Sequence, residues 1–218
     1  MAEINLLGTY PKIKRDYDKR MEEKTPDTVR IAKMFGKEFF DGERKYGYGG
    51  YKYDGRWKSV VARMREHYNL PDNAAILDIG CGKGFMLHDF KELMPNCTVA
   101  GIDVSEYAIE NAMPDMKPFL KVASAEKLPY PDKSFDLVVS INSIHNLPPE
   151  KLKIALKEVE RVSRGHSYVT MDAWHNDQEK ENLYKWVLTA ETMMHVDDWE
   201  KLFAEIGYTG DYWWFIAD

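Results

Sequence analysis

The chain has 218 residues, of which 44% are apolar and 30% charged, and its formal net charge at neutral pH is −6. That length suits one α/β domain with an appendage. The acidic balance, with no Lys/Arg run or basic stripe, argues against a nucleic-acid binder or a membrane-surface binder, which must neutralise phosphates.

No apolar stretch approaches the roughly 20 residues of a membrane-spanning helix, and the opening MAEINLLGTYPKIKRDYDKR lacks a signal-peptide core. A cytoplasmic location is therefore expected. The two cysteines, Cys81 and Cys97, are too few for a disulfide framework or a zinc site. Both read as small reduced side chains, and no metal ligand set is expected.

In chain order, residues 1–24 are polar and read as a loose arm or frayed helix, with order beginning at Thr25. Thr25 as N-cap and Pro26 at the first helical position open a helix in which Val29, Ile31, Met34, Phe35, Phe39 and Phe40 face the domain. Arg44 to Trp57 reads RKYGYGGYKYDGRW. Its glycines break regular structure while Tyr46, Tyr48, Tyr51, Tyr53 and Trp57 supply rigid area and hydroxyls, which suits a loop that folds over a ligand. An ordinary surface loop pinned by its aromatics is the plainer alternative. Trp57 to Leu70 follows as a helix with Val60, Val61, Met64 and Tyr68 inward.

The pivotal stretch is AAILDIGCGKGF. Ala75 to Ile79 has no solvent-facing alternation, as expected of a buried central strand in a parallel sheet. Gly80, Gly82 and Gly84 then allow a tight turn and a close approach to the main chain, and the helix that follows aims its free N–H groups at the turn. A dinucleotide fingerprint would need its third glycine at position 85, which is Phe85.

At this point the order Asp78-x-Gly80-x-Gly82-x-Gly84 resembles the class I S-adenosylmethionine-dependent methyltransferases. The resemblance implies that Asp78, Gly80, Cys81, Gly82 and Gly84 hold the amino-acid end of S-adenosyl-L-methionine, which leaves as S-adenosyl-L-homocysteine. A second strand, near Thr98 to Asp103, places Asp103 19 residues beyond Gly84. A strand-end carboxylate at about that distance of roughly 20 residues can accept from ribose hydroxyls, and Val104 lies beside it. Ser105 can cap the next helix itself, leaving Asp103 for a ligand.

A third strand near Phe119 to Ala123 precedes SAEKLPYPDKSFD. This is similar to the family's Asp-Ala-x-x-Leu-Pro-Phe stretch, with Ser124 where the family has aspartate. Ser124, Ala125 and Glu126 are thereby expected near the adenine. The strand Phe135 to Ile141 leads to Asn142, Ser143, His145 and Asn146 at the carboxyl edge of the sheet, where open α/β folds place ligands. His145 matches a frequent family histidine and could take a proton from the acceptor. Its plainer reading is a capping or packing histidine. Asp172 and His175, past a fifth strand over Ser167 to Asp172, are the competing bases.

A helix opening at Pro148 to Glu150, another over about Gln178 to Ala190, an apparent Asp197/Glu200 capping box and a stop at Gly207 complete the pattern. The family usually ends with two more strands, the last antiparallel. Only one clear strand fits after Gly207.

The resemblance covers about Trp57 to Tyr208. It implies an α/β, three-layer Rossmann-like methyltransferase fold: a mostly parallel sheet with helices on both faces in residues 57–218, and an N-terminal helical and loop extension, with lid, in residues 1–56. The expected activity is an in-line displacement that moves the methyl group to an O or N atom of a small polar metabolite. A protein methyltransferase docking on the N-terminal arm and a non-catalytic adenosyl-ligand-binding protein are the alternatives, since a glycine loop reports binding rather than turnover.

Overall fold

The computed structural model describes residues 1–11 and 15–218. Part of the N-terminal arm, Lys12 to Lys14, lies outside the described residues. Three short helices come first: α1 (Tyr17–Glu23), α2 (Pro26–Ala32) and α3 (Lys37–Asp41). They are followed by α4 (Lys58–His67), β1 (Ala75–Ile79), α5 (Phe85–Leu93), β2 (Thr98–Asp103), α6 (Glu106–Glu110), β3 (Leu120–Val122) and β4 (Phe135–Ile141). The chain then forms α7 (Pro149–Val162), β5 (Ser163–Trp174), α8 (Asp177–Trp186), β6 (Met194–His195), α9 (Val196–Ile206) and β7 (Asp211–Ile216). Among the described residues no helix is long and apolar enough to cross a membrane.

Every strand pair is parallel, in the order β3-β2-β1-β4-β5-β6, with β7 also paired to β5. β1 is central because both its neighbours supply continuous apolar partners, Ile76 opposite Val99 and Leu77 opposite Val138. Successive side chains leave opposite faces of a strand. Leu77, Ile79 and Val138 accordingly pack with α7 and α9 through Leu156, Val159, Trp199 and Phe203. Ile76, Leu137 and Val139 pack on the other face with α4 and α5 through Val61, Met64, Leu87 and Phe90. Both faces are covered, which is why these strands read as mostly apolar runs without a solvent-facing alternation.

Four expectations need correction. The arm is not loose: Leu6 is buried, Tyr168 Oη donates to the Ile4 carbonyl at 3.0 Å, and α1 is capped by Asp16. The helix expected from Thr25 through Phe40 is broken, because Phe35 takes a left-handed φ of +47° before Gly36. His195, rather than Asp197, caps α9, its ring accepting the Asp197 N–H at 3.2 Å.

The far edge of the sheet also departs from the family pattern. β7 runs parallel to β5, from Tyr168 opposite Asp211 to Ala173 opposite Ile216. Residues 2–4 then occupy part of its free side. The Ile4 N–H donates to the Tyr212 carbonyl at 2.9 Å and the Tyr212 N–H to the Ala2 carbonyl at 3.0 Å. Edge groups that would otherwise be unpaired are satisfied by the chain's own N-terminal residues.

Candidate functional site

At the carboxyl ends of β1, β2 and β4 lies a cavity of about 140 Å³. Its sheet-side wall is made by Gly80, Gly82, Asp103, Val104, Ser124, Ala125 and Asn142, and its outer wall by Phe35, Phe39, Phe40, Tyr48 and Tyr51. The site lies beside β1, where the chain switches from the β2–β3 side to the β4 side, as in other open parallel sheets.

The glycine turn has the conformation its sequence requires. Gly80, Gly82 and Gly84 have φ of +82°, +54° and +81°, a region that costs an L side chain roughly 1–2 kcal/mol. Space is equally limiting. A Cβ on Gly80 would fall 2.0 Å from Ser143 Oγ, and one on Gly82 would fall 3.1 Å from the Tyr51 ring. The turn is pinned to β2 by the Gly80 and Cys81 N–H groups, which both donate to the Ile102 carbonyl, at 2.8 and 3.0 Å.

Asp103 does more than await a ligand. Its carboxylate accepts the Gly82 N–H and the Ser105 N–H, each at 2.8 Å. Ser105 caps α6 as expected, taking the Ala108 N–H on its hydroxyl. Each carboxylate oxygen keeps acceptor capacity for a further donor. Burial pushes the Asp103 carboxyl upward in pKa, opposed by these backbone N–H groups. Asp78, near the end of β1 just before the turn, is buried and does not line the cavity, and its carboxylate makes no hydrogen bond to a described residue. Burial first, and then the nearby Asp103 charge, push its carboxyl up to about 8.

Asp78, Cys81, Gly84 and Glu126 do not line the cavity. The Cys81 sulfur points into the core, where it would meet a Cβ on Gly101 at 2.8 Å, and burial raises its thiol pKa well above the ordinary value. Gly84 caps α5 against Met116, and Glu126 sits at the rim between Ser124 Oγ and Lys151.

The Tyr/Gly-rich segment divides. Tyr48 and Tyr51 reach the cavity, their ring centroids 4.4 Å apart, and Tyr51 stacks on Phe85 at 4.7 Å. Tyr46, Tyr53 and Trp57 point elsewhere. Tyr46 lies under Lys45, Tyr53 Oη donates to Asp89 at 2.6 Å, and Trp57 packs on Tyr10.

The sequence reading missed what holds this cap down. Lys83, inside the glycine turn and buried, donates to both oxygens of Asp41, at 2.9 and 2.6 Å, and to the Tyr51 carbonyl at 3.0 Å. Asp41 also accepts the Tyr51 N–H at 3.0 Å and the Tyr107 hydroxyl at 2.7 Å. Burial opposes ionisation of Asp41, yet the bonds from Lys83, Tyr107 and Tyr51 outweigh it and hold the carboxyl below its ordinary pKa. A signal was present: a lysine between two motif glycines needs a partner once the turn is enclosed.

The three candidate bases are not brought together at the cavity. Its lining passes from Ile144 to Asn146 and leaves out His145. His145 is buried, with Nε2 3.5 Å from Asp172 and Nδ1 without a partner among the described residues. Burial raises the Asp172 carboxyl, partly offset by His145 and Arg15. His175 is half-exposed and paired with Glu179 at 3.0 Å. His88, Asp89 and Glu92 converge within 4.8 Å, a grouping the sequence reading overlooked. Asp115, Tyr53 and Lys58 already engage them in turn.

Fold and site together define an α/β protein whose glycine turn and strand-end carboxylate face one partly open cavity. Residues 76–166 match the family model of a methyltransferase domain, which together with the methyltransferase relatives indicates a class I S-adenosylmethionine-dependent methyltransferase. Over 159 residues it is 30% identical to sterol 4-C-methyltransferase strm-1 of Caenorhabditis elegans, an alignment covering 70% of this chain and 46% of that protein. It is 39% identical over 98 residues to the mitochondrial arginine-hydroxylase NDUFAF5 of Rattus norvegicus, covering 43% and 28% of the two chains. The chain spans about half the length of the curated relatives it matches. Its fold is also that of a solved protein described as a sarcosine dimethylglycine methyltransferase from Galdieria sulphuraria, with a TM-score of 0.56 and 16% identity over 70% of this chain and 59% of that one.

Proposed function

We propose that this protein binds S-adenosyl-L-methionine in the capped cavity and transfers its methyl group to an O or N atom of a small polar metabolite. The observation that carries the reading is the convergence of Gly80, Gly82, Asp103, Ser124, Ala125 and Asn142 on one cavity at the carboxyl edge of the sheet. The residues fit such a ligand. The turn offers three residues without a Cβ, the Asp78 carboxylate has no hydrogen bond to a described residue, and the buried Asn146 Oδ1 is unpartnered among the described residues.

When bound, the cofactor supplies an electrophilic methyl on a sulfonium. The chain's own contributions are then separable. Asp103 would accept from ribose hydroxyls, and Ser124, Ala125 and Val104 would border the adenine. Gly80, Gly82 and Asp78 would receive the amino-acid end, and the rings of Tyr48 and Tyr51 would exclude water and offer aromatic faces to a cation. For an acceptor hydroxyl, the buried His145–Asp172 pair, next in sequence to the lining residues Ile144 and Asn146, is the candidate proton acceptor; an already neutral amine needs positioning alone.

The relatives differ in chemistry. One is named for methylation of a sterol carbon and another for arginine hydroxylation. The second favours an alternative in which a similar chain carries a different chemistry. Calorimetry with S-adenosylhomocysteine and NAD, followed by a metabolite screen for a mass gain of one methyl, tests the reading. Tight binding of the thioether with a methylated product is expected. Binding of NAD alone would overturn it, and thioether binding with no methylated product in any extract would favour the alternative.

A further inference from the structure

Asn142 is the first residue past β4 and holds a left-handed φ of +48°, where a short polar side chain is among the few that settle. Thr170, buried in the adjacent strand β5, explains why it stays there. The Asn142 N–H donates to Thr170 Oγ1 at 2.8 Å, and Thr170 Oγ1 donates to Asn142 Oδ1, also at 2.8 Å. A hydroxyl has one proton. Having accepted the backbone N–H, it has that proton to give, and Oδ1 is the acceptor in place. The orientation of the amide is thereby set: Oδ1 faces Thr170 and the NH₂ group turns away.

Two N–H donors thus remain on Nδ2, and Asn142 lines the cavity. No hydrogen bond to a described residue uses them. The turn is also well placed, because Ser143 covers Gly80 so closely that a Cβ there would come within 2.0 Å of its hydroxyl. Asn142 therefore stands next to the first glycine of the loop. Donors alone can read only an acceptor, and a carboxylate, with about four lone-pair sites, answers paired N–H groups better than a hydroxyl does.

We infer that Thr170 is a positioning residue that orients the Asn142 amide toward the carboxylate of the ligand's amino-acid end. The inference rests on the proposed adenosyl reading of the cavity. Thr170 touches no ligand; it removes the alternative amide orientation and the alternative backbone conformation before binding, so the donors are pre-aligned.

The experiment compares two adenosyl thioethers by calorimetry: S-adenosylhomocysteine, which has the carboxylate, and 5′-methylthioadenosine, which lacks the amino-acid end. Thr170→Val keeps the shape of the side chain and deletes the hydroxyl, while Thr170→Ser keeps the hydroxyl. Thr170→Val is expected to weaken S-adenosylhomocysteine about tenfold or more, the scale of a hydrogen bond to a charged group. Methylthioadenosine should bind it as it binds the wild type, and Thr170→Ser should recover most of the lost affinity. Asn142→Asp, which keeps an acceptor for the Thr170 proton but removes the donors, should weaken S-adenosylhomocysteine more than methylthioadenosine. Equal weakening of both thioethers in Thr170→Val, no weakening of either, or no recovery with serine would assign Thr170 to structure alone and overturn the inference. Failure of the wild type to bind either thioether would instead overturn the adenosyl reading, and the inference with it.

Discussion

The two walls of the cavity are built by different physics. The sheet-side wall is main chain: strand pairing fixes Gly80, Gly82 and Asp103, and the turn is tied to β2 through the Ile102 carbonyl. The outer wall is an aromatic cap held by side chains, with Lys83, Asp41 and Tyr107 as its fastening and ring contacts among Phe39, Phe40, Tyr48 and Tyr51 as its body. A wall anchored in a sheet opens only when the sheet does. A wall anchored by a few side-chain contacts opens at much lower free energy, which is how lids over ligand sites are generally made. The cap is thus the element expected to move if a ligand enters, and Tyr51 against Gly82 is where the two walls meet.

The largest expected effect breaks that meeting point. Gly82→Val puts a branched side chain at a φ of +54° with the Tyr51 ring 3.1 Å from its Cβ. Binding of S-adenosylhomocysteine should be lost, and the ligand-free protein should be weakened by about 1–2 kcal/mol of backbone strain. Calorimetry and thermal melting measure the two separately, and retained binding would show that the cavity is not used as described.

Asp103→Ala strikes the sheet-side wall alone. Losing an ionised acceptor should weaken S-adenosylhomocysteine by about 1–3 kcal/mol. Because the same carboxylate holds the Gly82 and Ser105 N–H groups, the melting temperature should fall as well. Unchanged affinity in a folded variant would remove Asp103 from the site.

Asp41→Ala strikes the cap alone. It leaves the Lys83 ammonium enclosed without its partner, at a cost of about 1–2 kcal/mol once the partial exposure of Asp41 is allowed for. Amides of residues 44–53 should then exchange faster, with those of β1 and β4 unchanged. Equal acceleration in both walls would mean that they open as one unit.

The smallest effect concerns Asp78. With its carboxyl at about 8, this group is mostly neutral in the ligand-free protein at pH 7. Neutrality there favours the folded state at low pH, and this contribution is lost as pH rises from roughly 4 through 8. A ligand bringing a cationic amine close to Asp78 favours its ionised form, so binding should release a fraction of a proton at pH 7 and tighten as pH rises toward 8. Calorimetry in two buffers of different ionisation enthalpy counts the proton. Asp78→Asn should abolish the release, and a persisting release would assign it to another group.

Much of the sheet-side wall is legible in the sequence. β1 and β4 begin and end where their apolar runs do, and the left-handed turn follows from three glycines. These features are local, since a strand buried on both faces is mostly apolar along its length and a turn rich in residues without a Cβ declares its own conformation. Thr25 and Pro26 likewise announce the start of α2. The alternation of strands and helices is enough to determine the parallel sheet, and the position of the glycine turn is enough to locate the cavity.

Tertiary structure alone decided the rest. That Lys83 and Tyr107 would both meet Asp41 depends on residues 42 and 66 positions apart along the chain. That residues 2–4 would line the edge of β7 joins opposite ends of the sequence. The division of the aromatic segment, with Tyr48 and Tyr51 turned in and Tyr46, Tyr53 and Trp57 turned away, depends on which rings find Phe85, Asp89 and Tyr10. Composition marks such residues as able to pack or pair, but it does not say with what. Partners distant in sequence are chosen by the packing of the whole chain, because a side-chain contact leaves no periodic trace in the segments it joins.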